Sequence, residues 1–323
     1  MLTMALATLM SIVMFDAKVS LSGDDCDYIL AADAFWHHFI FPGHHGSLYP
    51  IVLSPFVGLF GYKLVLLKFL SVLFTVGAFG FLYKAFERRI PSAVLIPSML
   101  LAAICSYIFF YAGYTYSEPL FMLLQSIYFY FFSRYFWVEG GTPSYTLRKD
   151  WKKYLTLGAL TLAMGLTREI GFCVIGVVIL YFAIKGRWKD LLYTVGAALL
   201  MLAAFYLVKA ILWPNVVAGH SFTNLMAKDY YNPNAGMEDT AGLLSRFWDN
   251  SRVYLSAFLC QMMGVMPETP SNRFDMSATR TLIIYGLYFA ALVVILVRRD
   301  APLLFAGLYA GVLNFASFVV LQI

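Results

Sequence analysis

Apolar runs about as long as a membrane is thick recur along this chain, separated by short polar stretches. Residues 64–83, 91–112, 119–137, 191–213, 281–297 and 301–323 are each dominated by Leu, Val, Ile, Phe and Ala. A helix needs about 20 such residues to cross the hydrocarbon core, so each run is expected to be one membrane-spanning helix. The run 154–184 is interrupted by Thr167-Arg168-Glu169, which predicts two short helices joined by a polar turn.

Shorter patterns lie between these runs. Residues 1–15 are apolar but too short to span. Two readings stand open: a signal-peptide core with Ser20-Leu21-Ser22 as cleavage site, or the end of a first spanning helix. Tyr28, Ala32, Phe35 and Phe39 recur at helical spacing with Asp33 and His37 on another face. That predicts an amphipathic helix in the lipid–water interface, broken at Pro42-Gly43. Residues 48–61 read as a second interfacial or re-entrant helix. Over 241–263, Leu244, Phe247, Trp248, Ser251, Leu255 and Phe258 share one face while Arg246, Asp249 and Arg252 lie off it. Asp239 or Thr240 is placed to cap that helix. Asn232-Pro233-Asn234 and 267–272 read as turns. No internal repeat and no Walker-type glycine loop occurs.

The fold expected is therefore all-α. It is a polytopic helical membrane protein with interfacial amphipathic helices in its first and last large outer loops, 16–62 and 214–280. Residues 1–323 form one transmembrane domain. The apolar run that stops at Ile323 predicts a longer natural chain, incomplete here at its C-terminus, with the short first run leaving the same reading open at the N-terminus.

Composition sharpens this picture. The chain is 61% hydrophobic and only 13% charged, which a soluble domain could not cover with polar surface. Its net charge of +5 is spread thinly and describes topology, not a nucleic-acid partner. Lys84, Arg88 and Arg89 follow one run. Arg148, Lys149, Lys152 and Lys153 fill the next alternate connection. Lys185, Arg187 and Lys189 fill another, and Arg298-Arg299 the last. With these connections cytoplasmic, the positive-inside rule is obeyed throughout. The acidic 22–50 stretch, 114–118, the Thr167–Glu169 turn and 214–280 then share the opposite side. The four cysteines are far apart and form no CxxC pair. Lys68 and Lys209 fall inside spans, where both are expected to snorkel.

Chemistry concentrates on that opposite side. Residues 22–50 hold Asp24, Asp25, Asp27, Asp33 and four of the five histidines. Adjacent carboxylates can divide labour, one accepting a proton from a hydroxyl and the other holding a cation or donor group. Arg168 at a membrane edge suits a phosphate through its planar fork. Glu118 and Glu169 add charge to the same side. Each also has a plainer reading: a solvated loop pair, an acidic residue before Pro119 at a helix start, or an Arg168–Glu118 or Arg168–Glu169 ion pair. His44 and His45 read as substrate contacts or loop polarity, since adjacent histidines point apart in most backbones. His37-His38 reads as polar helix surface.

Asp24-Asp25-x-x-Tyr28 resembles the first-loop signature of the C-type (GT-C) glycosyltransferases. That group includes the dolichyl-phosphate-mannose protein mannosyltransferases and the lipid A aminoarabinose transferase. PGHHGSLYPIVLSPFVGLFG, YSEPLFMLL with Glu118, LGALTLAMGLTREIGFCVI with Arg168, and FASFVVLQ resemble later segments of bacterial members. The resemblance implies inverting transfer of a sugar from a polyprenyl-phosphate donor to a hydroxyl acceptor on a lipid, glycan or protein. It implies an inner-membrane protein of envelope synthesis, working on the non-cytoplasmic face. Asp25 or Asp24 would be the general base, with Asp25 favoured because it lies one helical turn from Tyr28. Glu118 would assist at an acceptor or cation site, and Arg168 would hold the donor phosphate. Glu169, His44, His45 and Tyr28 would contact substrate. Asp25 stands where several members have Glu, which leaves base and ligand roles open. No cofactor is implied beyond the lipid-linked donor and an optional divalent cation. A transporter or flippase of a lipid-linked intermediate is the alternative; it predicts buried mid-span charge and broken helices.

Overall fold

The computed structural model describes residues 2–18, 24–43, 46–137, 147–214, 227–229, 232–263 and 276–320. Among them the fold is all-helical, with one isolated antiparallel bridge between Ala227 and Met237. The chain divides into two compact units, Met1–Val217 and Ala218–Ile323.

The first unit holds α1 (Leu2–Val13), α2 (Asp24–His38), α3 (Leu48–Phe60), α4 (Leu64–Phe86), α5 (Ser92–Ala103), α6 (Ser106–Ala112), α7 (Ser117–Phe136), α8 (Leu147–Thr167), α9 (Val174–Ile184) and α10 (Trp188–Leu212). A 3-10 turn, Glu169–Cys173, joins α8 to α9. Helix α7 packs between α4 and α8, α10 lies along α8 and α9, and α2 lies on α3. Helix α1 packs against α4 and α5, so this short apolar run is part of the unit's core and buries Ala7 completely.

Of the six runs expected to span, four form helices long and apolar enough among the described residues, or five if a bent pair is one span. Helices α4 and α10, with α13 and α14 below, are long and apolar enough to cross a membrane. The 91–112 run is not one straight helix. Ile104 and Cys105 interrupt it, Cys105 takes an extended conformation, and α5 and α6 meet at 56°. Helix α7 has the length of a span but falls outside the apolar set, because Glu118, Arg134, serines and tyrosines dilute it. Its buried Tyr128, Phe129, Phe132 and Ser133 face other helices instead. Of the two helices expected over 154–184, α9 is short at 11 residues, but α8 runs for 21.

Helix directions give the first unit two chemically distinct ends. At one, Phe129 and Trp137 close α7 against Phe86 at the end of α4. There Asp190, fully buried, accepts hydrogen bonds from Tyr154 Oη (2.7 Å) and Arg187 Nε (2.8 Å). The Arg187 guanidinium also lies over the rings of Phe136 and Phe182, at 5.1 and 5.5 Å. The ends of α7 and α9 and the starts of α8 and α10 are thus pinned together, with Lys152, Lys153 and Lys189 around them. The start of α7 lies at the far end of that 20-residue helix, roughly 30 Å away; there the end of α8 is reached through Arg168 and the acidic start of α2 through the Tyr28–Ser117 contact.

The second unit holds α11 (Thr240–Val253), a π-helical segment Tyr254–Phe258, α12 (Leu259–Met262), α13 (Ala278–Arg298) and α14 (Ala301–Val320). The expected Asp239 cap is present: its side chain accepts from Gly242 N–H at 2.7 Å. The expected apolar face of α11 is only partly right, because Leu244 is 65% exposed. The buried face carries the expected Ser251 and also Asn250, which bond to Tyr285 Oη (2.7 Å) and the Phe318 carbonyl (2.7 Å) respectively. Phe247 meets Phe315 at 4.5 Å on the same side. Asn232 accepts from Asn234 N–H and starts the short 3-10 turn Pro233–Ala235, the turn expected there. The turn expected over 267–272 lies outside the described residues.

Candidate functional site

The acidic run that sequence alone placed in a loop is the first turn of α2, with Asp24, Asp25 and Asp27 all at its N-terminus. Unpaired N–H groups and the helix dipole favour carboxylates there. The three are not equivalent. Asp25 is buried at 5% exposure, Asp24 is half-buried, and Asp27 faces outward. One turn on, Tyr28 is 4% exposed and donates its hydroxyl to Ser117 Oγ at 3.1 Å. Its ring meets Tyr49 edge-on, with centroids 5.0 Å apart. Tyr49 is fully buried, its hydroxyl 3.5 Å from Ser71 Oγ on α4.

Ser117 opens α7 and precedes Glu118. Arg168 reaches both: its Nη1 lies 3.4 Å from Ser117 Oγ and forms an ion pair with Glu118 Oε1. A chain of polar contacts therefore runs from Tyr28 through Ser117 to Arg168 and Glu118, joining three elements distant in sequence. Arg168 and Glu118 retain 41% and 29% side-chain exposure, so a ligand can reach them. Burial pushes the Tyr28 phenol up to about 12; the Ser117 contact and Arg168 oppose the rise, and Glu118 and Asp24 reinforce it. Tyr116 is also pushed up to about 12, by burial first and then by Asp25, Asp24 and Glu118. In the structure, Asp24 and Asp25 lie within one turn of Tyr28 on α2, and Tyr116 directly precedes the Ser117-Glu118 pair that Arg168 reaches.

Local sequence explains how Arg168 arrives there. Helix α8 ends at Thr167, and Arg168 turns extended at φ −149°. The 3-10 turn then folds back onto α8, where Gly171 allows the approach: a Cβ at that position would lie 2.5 Å from the Met164 carbonyl carbon. Gly46 meets the other side of the α8 terminus. It sits at φ +91°, which favours glycine, and any Cβ would overlap the Thr167 carbonyl oxygen.

Not every residue singled out in sequence joins this cluster. Glu169 is exposed, and no ion pair to it occurs among the described residues; of the two pairings open to Arg168, the one formed is with Glu118. His44 and His45 lie outside the described residues. Asp33 pairs with His37 at 3.1 Å on the outer surface of α2, and His38 is exposed. Among the described residues, no group of three or more His, Cys, Asp or Glu side chains is arranged to hold a metal ion.

Four neighbours escaped sequence reading: Ser117, Tyr49, Tyr116 and the setting of Lys68. Only Ser117 and Tyr116 carried a signal, their closeness to Glu118. Lys68 was expected to snorkel and does not. It is 1% exposed, its Nζ donates to the carbonyls of Asp16 (2.9 Å) and Lys18 (2.6 Å), and it lies 5.0 Å from the centre of the Tyr114 ring. The carbonyls satisfy the ammonium inside the protein, so it has no need to reach water. Lys209 is half-buried beside the Phe41 ring, at 5.0 Å.

In the second unit, Lys228, Glu238, Ser245, Arg246 and Asp249 line a cavity of about 350 Å³. Arg246 is held by Glu238 (3.0 Å) and the Ala227 carbonyl (2.8 Å). The cavity is mixed in charge and shares no residue with the Asp25–Arg168 cluster. Compared with family models, curated proteins and solved structures, the chain matches none.

Proposed function

We propose that this chain is a multi-pass membrane glycosyltransferase of the C type that it resembles. In this reading it moves a sugar from a polyprenyl-phosphate donor to a hydroxyl acceptor. The observation that carries the proposal is the contact chain from Tyr28 through Ser117 to Arg168 and Glu118, which joins three separate elements and has the buried Asp25 one turn before Tyr28 on the same face of α2. A buried carboxylate, an arginine still open to a ligand and a helical membrane-length bundle are the parts that such a transfer needs.

The chemistry follows from those parts. Asp25 accepts the proton of the acceptor hydroxyl as its oxygen attacks the anomeric carbon. The bond from that carbon to the phosphate oxygen breaks, and its electron pair leaves with the lipid phosphate. Attack opposite the leaving group inverts the anomeric centre. Arg168 holds the phosphate as charge builds on it, through charge-assisted hydrogen bonds. Glu118 holds Arg168 in place, a narrower role than the acceptor or cation site that the resemblance implies for it. The interfacial placement of α2, the outward orientation of this end and residence in a bacterial inner membrane belong to the same proposal.

The test is reconstitution. The full chain in liposomes is supplied with a panel of radiolabelled polyprenyl-phosphate sugars and an envelope extract as acceptor. Transfer from at least one donor, with release of lipid phosphate, is expected. Donors that all remain intact would contradict the proposal.

A second reading, transport of a lipid-linked intermediate, is favoured by two observations: the buried Lys68 and the break between α5 and α6. Protein-dependent movement of a fluorescent polyprenyl-phosphate lipid between leaflets, without sugar transfer, would select it.

A further inference from the structure

The tyrosines just before Glu118 are unaccounted for by proton transfer or phosphate binding. Tyr116 occupies the position before α7 in an extended conformation, φ −110° and ψ 160°. Tyr114 stacks on it with centroids 5.4 Å apart and ring planes 16° from parallel. Tyr111 flanks it at 6.0 Å. The buried Lys68 ammonium braces Tyr114 from the α4 side. Tyr116 also packs against the core that contains Tyr28, Ile29 and Tyr49. It is nevertheless half-buried, so part of its ring faces outward.

Aromatic rings at a bilayer edge are common as anchors. An anchor does not need a place directly before the Ser117-Glu118 pair that Arg168 reaches, or an ammonium fixing its stacked neighbour. A rigid, partly open ring beside a carboxylate and a phosphate-binding arginine has the properties of a surface for a sugar. The C–H groups on one face of a pyranose carry partial positive charge, which suits the negative face of an aromatic ring. The hydroxyls at the sugar's edge suit carboxylate acceptors. Because the ring is already immobilised, binding loses little rotamer freedom.

We infer that Tyr116, backed by Tyr114, is the wall against which the donor's sugar ring lies, making it a specificity-determining residue. The inference rests on the glycosyltransferase reading and adds the subsite for the transferred ring.

Equilibrium binding to the full chain in nanodiscs tests it. The probes are undecaprenyl phosphate, bare or carrying glucose, mannose or arabinose. Wild type should bind at least one sugar-bearing lipid about tenfold more tightly than the bare lipid, the scale of one aromatic contact. Tyr116→Leu should abolish that advantage and leave bare-lipid affinity unchanged, while Tyr116→Phe retains it. Three results would each overturn the inference: an advantage that survives Tyr116→Leu, none in wild type, or equal weakening of the bare lipid. If Tyr116→Leu does not accumulate folded, Tyr116→Trp enlarges the face, and an unchanged sugar advantage in it overturns the inference instead. Failure of the underlying reading looks different: bare-lipid affinity is then indifferent to Arg168→Ala.

Discussion

Asp24, Asp25 and Asp27 differ by one or two positions, yet their surroundings differ enough to predict unequal roles. Only Asp25 is buried, against the face of α2 that carries Tyr28. Asp25→Asn is expected to lower the transfer rate about 10²–10⁴-fold while donor binding persists, the usual cost of a lost general base. Asp24→Asn should cost less, and equal mild losses would count against a base in this pair. Arg168→Lys keeps charge but loses the planar fork. It should weaken binding of undecaprenyl phosphate, and unchanged affinity in both Arg168→Lys and Arg168→Ala would remove the phosphate role. Tyr28 offers a test by pH. Its phenol is raised from 10 to about 12, so the folded state favours the neutral form. That stabilisation is complete below pH 10 and is lost as pH rises toward and through 12. Thermal midpoints of wild type should therefore fall more steeply over this window than those of Tyr28→Phe; parallel curves would show that the phenol contributes nothing. Asp25, Tyr28, Glu118 and Arg168 could all be found from sequence because each sits in a short polar island between apolar runs. Lys68 could not. Its partners are backbone carbonyls of residues 16 and 18, and a carbonyl leaves no mark in a sequence.

Elements were legible where period and length agreed, as in α4, α10, α13 and α14. They were misread where neighbours, not lipid, surround a helix. Helix α7 tolerates Glu118, serines and tyrosines because α4 and α8 cover it. The break between α5 and α6 has no proline or glycine at Ile104-Cys105 to announce it. Leu244 fits an apolar stripe by spacing, but the face of α11 that the second unit buries is set by Phe318 and Tyr285. The turn after α8 was foreseen as polar; its tightness depends on Gly171, one of 23 glycines and indistinguishable from them in one sequence. Gly171→Ala should force the turn off α8 and displace Arg168. Overpacking of this kind costs about 1–3 kcal/mol, so the thermal midpoint in detergent and lipid-phosphate affinity should both fall. An unchanged midpoint would mean that the turn relaxes freely.

At the scale of the molecule, the first unit has two chemically distinct ends, and the basic end also holds a polar clamp on a fully buried carboxylate. Asp190 is fully buried between Tyr154 and Arg187. Removing one partner from a buried ion pair typically costs about 3–5 kcal/mol. Asp190→Ala should therefore destabilise the protein strongly, yet leave the lipid-phosphate affinity of the folded fraction unchanged, because the clamp lies at the other end. Everything proposed for Asp25, Glu118 and Arg168 requires their end to face away from the cytoplasm. Cys26 tests that directly, being exposed in the same turn of α2 as Asp25. With Cys105, Cys173 and Cys260 replaced by Ser, a membrane-impermeant maleimide applied to cells with a permeabilised outer envelope and an intact inner membrane should label Cys26. It should fail to label a second variant, Cys26→Ser with Arg88→Cys, until the inner membrane is opened. The reverse pattern, Arg88→Cys labelled at once and Cys26 only after the membrane is opened, would contradict both the orientation and the site.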